Sequence, residues 1–270
     1  MLGLVLGALT VAAVLLVRAG GLGLSRDVAT AAARAVVQLS AVSLLIAAVL
    51  RSGPLTGCFI AAMLTIAGFT AARRIRGRAA QTAQTARTAQ TTRSARARRL
   101  AAVRDSVRPA GWAALAIASG VVPALVLLLA TGLVPLRPVA VLPIAGILIG
   151  GAMTATALTG RRGLDDLWQR RGEYEGGLAL GLARRDAALE VCRPAAALAL
   201  VPVIDQTRTV GLVTLPGAFV GVLLGGADPV QAGAAQLLVL IALLAVESAS
   251  ALLTLELVAT GRFGPPRSPH

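Results

Sequence analysis

Long apolar runs, broken by clusters of arginine and never by lysine, decide what this chain can become. All 26 basic residues are arginine, and charged residues make up only 14% of the 270. A soluble domain carries about 25%. Backbone polar groups cannot be left unpaired in lipid, so runs of this kind cross a bilayer as helices. The runs predict an all-α integral membrane protein, one transmembrane domain over 1–270 with about seven spans. These cover residues 2–17, 35–50, 55–72, 110–130, 139–158, 210–224 and 230–259. The first is short against the ~20 residues a span needs, and Gly20 to Leu24 lengthen it if Arg18 snorkels.

Arginine placement orients the spans. With the N-terminus outside, inner segments hold 24 arginines and the outer turns two, Arg51 and Arg137. Basic residues favour the cytoplasmic side, so the net charge of +14 needs no nucleic acid to explain it. No positive side chain precedes the first apolar run, which fits a cleaved signal peptide poorly. The segment 73–108 between spans three and four carries eleven arginines and one acid, Asp105, around an Ala-Gln-Thr repeat. Block charge of one sign reads as a solvated cytoplasmic loop, with anionic lipid or an acidic partner as the alternative contact. The segment 161–209 is the second large cytoplasmic piece; its apolar stretch Ala195 to Ile204 is too short to cross and reads as interfacial or re-entrant. Pro216-Gly217 interrupts the sixth span, so its central backbone need not be regular helix.

Several chemistries are excluded. His270 is the single histidine, and Cys58 and Cys192 lie far apart. A multi-histidine site is excluded, no disulfide framework or zinc site is legible in the spacing, and the terminal His270 as sole imidazole speaks against a Ser-His-Asp arrangement. A phosphate-binding P-loop needs a lysine, and the chain has none. If ATP drives this protein, ATP and magnesium sit on another subunit. No cofactor is expected in this chain, and the identity of any metal it handles stays unknown.

Within the cytoplasmic segment, Glu173 to Pro194 is a charged, helix-patterned island. Gly181 follows Glu175 by six residues, Val191 follows Gly181 by ten, and Pro194 by thirteen. This spacing resembles the coupling motif of ABC-transporter permeases, with Gly176-Gly177 where alanine is usual and Arg193 where an apolar residue is usual. The resemblance implies a coupling helix between spans five and six, carried by Glu173, Glu175, Leu178, Gly181, Arg184 and Pro194, that docks on an ATPase subunit. A glycine on the contact face lets backbones approach, and Pro194 is expected to stop the helix. Read from its residues alone, the stretch is an amphipathic surface helix with a breaker after it, and Gly181 is a left-handed cap closing a first helix from Glu173 to Leu180.

Further stretches resemble one family, the FetB-like ABC permeases proposed to export iron with a separate ATPase. They are Arg34 to Leu39, Pro143 to Gly146 with Gly150 to Met153, and Glu173 to Glu175 with Leu178 to Gly181. The longest joins Pro202 to Asp205, Thr209 to Gly217, Leu224 to Pro229 and Gln236. The resemblance implies a homodimer in the bacterial inner membrane, two docked ATPase subunits, and export of iron or another metal. Departures concern the cargo. Ala218 and Phe219 replace two methionines, Gly151 replaces an asparagine, Ala235 replaces a tyrosine, and the first cytoplasmic loop is longer.

Candidate transport-path residues are Gln38, Met153, Asp205, Pro216, Gly217, Gln236 and Glu247. Gln38 also reads as a polar residue packed between helices. Glu247 lies 12 residues from the inner end of the last span, roughly 18 Å deep in a helix. An acid at that depth is costly and faces the bundle interior or a cavity. It reads equally as a cation or proton site and as a buried, hydrogen-bonded structural glutamate; the family resemblance supplies no acid there. Two other functions stay open: a proton-coupled secondary transporter using Glu247, and a non-transporting scaffold that recruits partners through the basic loop.

Overall fold

The computed structural model describes residues 1–50, 52–87 and 95–263. Arg51, the middle of the Ala-Gln-Thr loop, Arg267 and His270 lie outside the described residues. The described residues are almost entirely helical, with one isolated β-bridge between Val210 and Thr214. In order, the helices are α1 (Leu2–Ala19), α2 (Ser25–Val49), α3 (Gly53–Arg87), α4 (Ala95–Ala130) and α5 (Pro138–Gln169). They continue with α6 (Arg171–Ala179), α7 (Arg184–Thr209), α8 (Gly217–Leu224) and α9 (Pro229–Ala259).

The chain divides into two compact units, Met1–Thr56 and Gly57–His270. In the first, α1 and α2 pack as a helical hairpin across a glycine-containing turn. α1 leaves Leu4, Leu9, Leu15 and Leu16 exposed, and Gln38 on α2 is exposed as well. In the second unit, α5 and α9 form the most extensive pairing; α7 packs on both, α4 packs on α9 and α5, α8 lies on α9, and α6 lies on α7. Without a hydrophobic drive between helices in lipid, such pairing rests on close packing and small residues. Gly120 is the clearest case: a Cβ there would stand 2.4 Å from the Val246 carbonyl oxygen, so α4 and α9 meet backbone to backbone.

Local chemistry sets the helix ends. Asp228 caps α9, its Oδ1 accepting from the Val230 N–H at 2.7 Å and the Gln231 N–H at 3.3 Å, with Pro229 in the first turn. Pro is pre-organised for that position and forfeits only a donor the helix leaves unused. α6 ends in a Schellman turn. The Gly181 N–H donates to the Leu178 carbonyl and the Leu182 N–H to the Gly177 carbonyl, both at 3.0 Å. Gly181 takes φ +89°, a conformation costly for a residue with a Cβ.

Four expectations are corrected. Gly181 is the left-handed cap and not a helix-interior contact. Pro194 does not stop a helix: it and Pro202 lie inside α7. Residues 195–204 are not a separate interfacial piece. They form the middle of a 26-residue helix that buries Ala187, Ala188, Val191, Cys192, Ala195, Ala196, Ala199 and Val203. This small-residue face at helical spacing packs on α5 and α9, which holds the helix together across its two prolines. Residues 210–224 are not one span either; α8 has eight residues, about 12 Å, too short to cross.

Five helical segments are long and apolar enough to cross a membrane among the described residues: Gly53–Arg76, Val107–Ala130, Pro138–Gln169, Arg184–Thr209 and Pro229–Ala259. α1 is apolar but shorter. Helix directions follow from contacts. Arg185, at the start of α7, bonds Glu256 near the end of α9 at 2.7 Å, so these two helices are antiparallel. Gly151 lies against Glu247 and Gly160 against Thr254, so α5 and α9 run parallel. Exchanging α7 for 210–224 transfers only Arg208 to the arginine-poor side, and the charge asymmetry stands.

Candidate functional site

The arginine-rich end of α5, α6 and α7 carries a platform tied by ion pairs. Arg170, at the α5–α6 turn, pairs with Glu173 through both carboxylate oxygens, its Nε reaching Oε1 at 2.8 Å. Its other terminal nitrogen donates to the Val191 carbonyl at 3.2 Å. The hydrogen bond from Arg170 holds the Glu173 carboxyl below its ordinary range, and the same bond raises Arg170. Arg171 bonds Glu175 at 2.6 Å and Arg193 bonds Glu190 at 2.8 Å. These pairs are solvent-exposed and contribute little to stability each; their effect is to fix side-chain direction.

α6 buries none of its residues. Beside it lies a groove of about 440 Å³ whose lining includes Arg170, Glu173, Gly176, Leu180, Leu182 and Glu190. Leu180 is 88% exposed at its mouth. Glu173 and Glu175 point outward as ion-paired acids, Leu178 is half-buried, and Arg184 and Pro194 are exposed. Of the predicted coupling residues, Glu173 lines the groove; Glu175, Gly181, Arg184 and Pro194 are exposed outside its lining, and Leu178 is half-buried. The sequence reading missed Arg170, which joins α6 to α7. Its signal was the i, i+3 spacing to Glu173.

Inside the bundle, Glu247 is 8% exposed. Its Oε1 would be 2.5 Å from a Cβ at Gly151, so the carboxylate occupies the room that the missing side chain leaves. Gln236, Ser250 and Thr254 are buried on the same helix, and Thr156 and Thr159 are buried on α5. The hydroxyls of Thr156, Thr159 and Ser250 bond no other protein atom, whereas Thr254 donates to the Ser250 carbonyl at 2.6 Å. The spacing 236, 247, 250, 254 places all four on one helical face; that period was the available signal for Ser250 and Thr254.

At the opposite end, the backbone between α7 and α8 is irregular, as Pro216-Gly217 predicts. Gln236 reaches from α9 to accept the Phe219 N–H at 3.2 Å, satisfying a donor that α8 leaves open in its first turn. Gln236, Pro216, Phe219 and Leu240 line a cavity of about 360 Å³. Asp205 is exposed and faces Arg208 at 3.8 Å. Met153 is half-buried against the core. Thus Pro216, Gly217 and Gln236 form one neighbourhood, Met153 and Glu247 belong to the bundle interior, and Asp205 stands at the surface. Gln38 belongs to the other unit. Among the described residues, no three Asp, Glu, Cys or His side chains converge as a metal site.

Comparison with known proteins gives a consistent result. The model of the UPF0014 family, an uncharacterised protein family, matches residues 2–96 and 85–263. The UPF0014 membrane protein STAR2 of Oryza sativa subsp. japonica is 32% identical over 235 residues, 86% of this chain and 73% of that protein. The probable iron export permease protein FetB of Escherichia coli (strain K12) is 34% identical over 143 residues, 52% of this chain and 54% of that protein. Protein ALUMINUM SENSITIVE 3 of Arabidopsis thaliana is 39% identical over 128 residues, 47% of each chain. These last two alignments span about half of each relative. No solved structure matches.

Proposed function

We propose, from the premise that this chain belongs to the UPF0014 family of membrane proteins, that it is the membrane-spanning subunit of an ABC-type transporter. It contributes the path, and a separate ATPase with its ATP and magnesium supplies the energy. The observation that carries this reading is the α6 platform. A short helix with no fully buried residue, braced by Arg170 and opening a groove with Leu180 exposed, is shaped to receive another protein. Its position at the arginine-rich end puts it on the cytoplasmic side by the charge rule.

The cargo proposed is iron or another metal, exported across a bacterial plasma membrane. Support comes from the relative named as a probable iron export permease. A homodimer supplies the two docking platforms that two ATPase subunits require. The arginines of 73–108 contact anionic lipid or solvent.

The test is co-purification of an ABC ATPase, taken from the chain's own genomic neighbourhood, with wild-type and Leu180→Glu protein at equal membrane expression. Leu180 is exposed, so the substitution leaves the bundle intact while placing a charge at the groove. The expected result is loss of most ATPase recovery. Equal recovery from both proteins would remove α6 from the interface.

A further inference from the structure

We infer that the cavity between the α7–α8 connector and α9 holds one membrane phospholipid, with an acyl chain in the apolar space and an ester carbonyl hydrogen-bonded to the Gln236 carboxamide. The state of Gln236 carries this. The residue is 5% exposed, lines the cavity, and accepts the Phe219 N–H through Oε1 at 3.2 Å. That bond fixes which end of the amide faces α8, because its oxygen accepts and its nitrogen only donates. The Nε2 end keeps two N–H donors that bond no other protein atom among the described residues. It is not one of the polar atoms sealed in the interior. A donor left unmet at an apolar wall is costly. What completes it must bring an acceptor oxygen.

The rest of the wall is apolar. Among the described residues no charged side chain lines the cavity, so it suits neither a bare metal ion nor a charged headgroup. Its volume of about 360 Å³ falls within the range of small-molecule pockets. Gly233 widens it: a Cβ there would meet no heavy atom within 4 Å. Pro216, also in the lining, is the N-cap of α8. The Gly217 and Ala218 N–H groups precede the first bond of that helix, which Val220 makes to the Pro216 carbonyl at 3.2 Å. The same corner therefore offers further donors to an oxygen.

Position selects a lipid over a water-borne molecule. Leu237, next to Gln236 and in the lining, is 57% exposed, and Ile241, one turn on, is 54% exposed. The cavity thus adjoins the apolar outer surface of α9, a helix long and apolar enough to cross a membrane. Its 31 residues extend about 46 Å, against a hydrocarbon layer of ~30 Å. Centred in the bilayer, such a helix passes the hydrocarbon boundary about 8 Å from each end. Gln236 lies seven residues from Pro229, about 10 Å along the axis. Glycerol esters sit at that boundary, with their acyl chains running inward. The inference stands on this corner alone and needs no ATPase.

Native mass spectrometry tests it by counting lipid bound to the delipidated full chain in detergent. The chain is titrated with dioleoylphosphatidylcholine or with its dioleyl ether analogue, which lacks the ester carbonyls. A zwitterionic headgroup keeps the arginines from gathering lipid by charge. The expected result is one ester lipid per chain, with the ether lipid bound about tenfold more weakly, the scale of one hydrogen bond. Gln236→Leu should bind both lipids equally weakly. Gly233→Leu fills the cavity without removing a hydrogen bond, so it should abolish the bound lipid, and it keeps the test valid should Gln236→Leu fail to fold. Equal binding of ester and ether lipid by wild type, or lipid binding unchanged in Gly233→Leu, would overturn the inference. So would a lipid-free dimer that Gly233→Leu splits, which would give the cavity to a second copy of the chain.

Discussion

Replacing Gly120 by alanine should destabilise the bundle, although the same change is normally favourable in a helix. Alanine gains about 1 kcal/mol over glycine in a helix interior. Against that, the new Cβ would lie 2.4 Å from the Val246 carbonyl oxygen, 3.0 Å from its Cα and 3.1 Å from its carbonyl carbon. All three are backbone atoms, so no rotamer change relieves the clash. Ordinary contact requires α4 and α9 to part by about 1 Å, which forfeits a quarter to a half of each dispersion well along the seam. Overpacking of this kind costs about 2–3 kcal/mol, leaving a net loss of about 1–2 kcal/mol after the helix gain. Gly150→Ala is the control, because no heavy atom lies within 4 Å of its Cβ position; it should stabilise by about 0.5–1 kcal/mol. Reversible unfolding in mixed detergent micelles measures both. If Gly120→Ala stabilises as much as Gly150→Ala, α4 and α9 do not meet backbone to backbone and the packing described here is wrong.

Gly181→Ala should loosen the α6–α7 turn by about 1 kcal/mol, the cost of a left-handed residue with a Cβ, seen as faster amide exchange at Leu182, with the spans unaffected; unchanged exchange would argue against the Schellman turn. Because Arg170 depresses the Glu173 carboxyl below its ordinary 4.5, the bracing of α6 is fully present above that value and is lost as pH falls through the lower folded value. A spin label on Gly172→Cys should therefore gain mobility only below pH 4.5 in wild type, and a Glu173→Gln variant should show no such step. An impermeant thiol reagent applied to intact cells should label Leu212→Cys and Leu136→Cys but not Leu180→Cys, with Cys58 and Cys192 first replaced by alanine. Failure to label Leu212→Cys would restore 210–224 as a span and return α7 to the cytoplasmic side.

The class of fold was legible because lipid permits so few solutions: apolar length suffices to read helices. What failed was the partition of 161–224. Arg184, Arg185, Asp186, Glu190 and Arg193 cluster at the start of α7, and two prolines lie within it. A hydropathy reading sees a ten-residue remnant, whereas the buried face at 187, 191, 195, 199 and 203 continues through the prolines. Tertiary packing supplies what the local sequence withholds. The stretch Glu173–Pro194 was singled out by spacing, yet spacing cannot distinguish a glycine at a contact face from one at φ +89°, and the structure shows the cap. Glu247 was visible as an acid in an apolar run; its fit against Gly151, nearly a hundred residues earlier, was not, because nothing local links α5 to α9.

The central claim, an ATP-driven path formed with a separate ATPase, is tested most directly by metal uptake into inverted membrane vesicles containing this chain and that ATPase. Export from cells becomes uptake into such vesicles. Iron or another metal should accumulate only with ATP and only when both subunits are present, and fall to background with Leu180→Glu. Accumulation that proceeds without ATP, or that persists undiminished in Leu180→Glu, would contradict it.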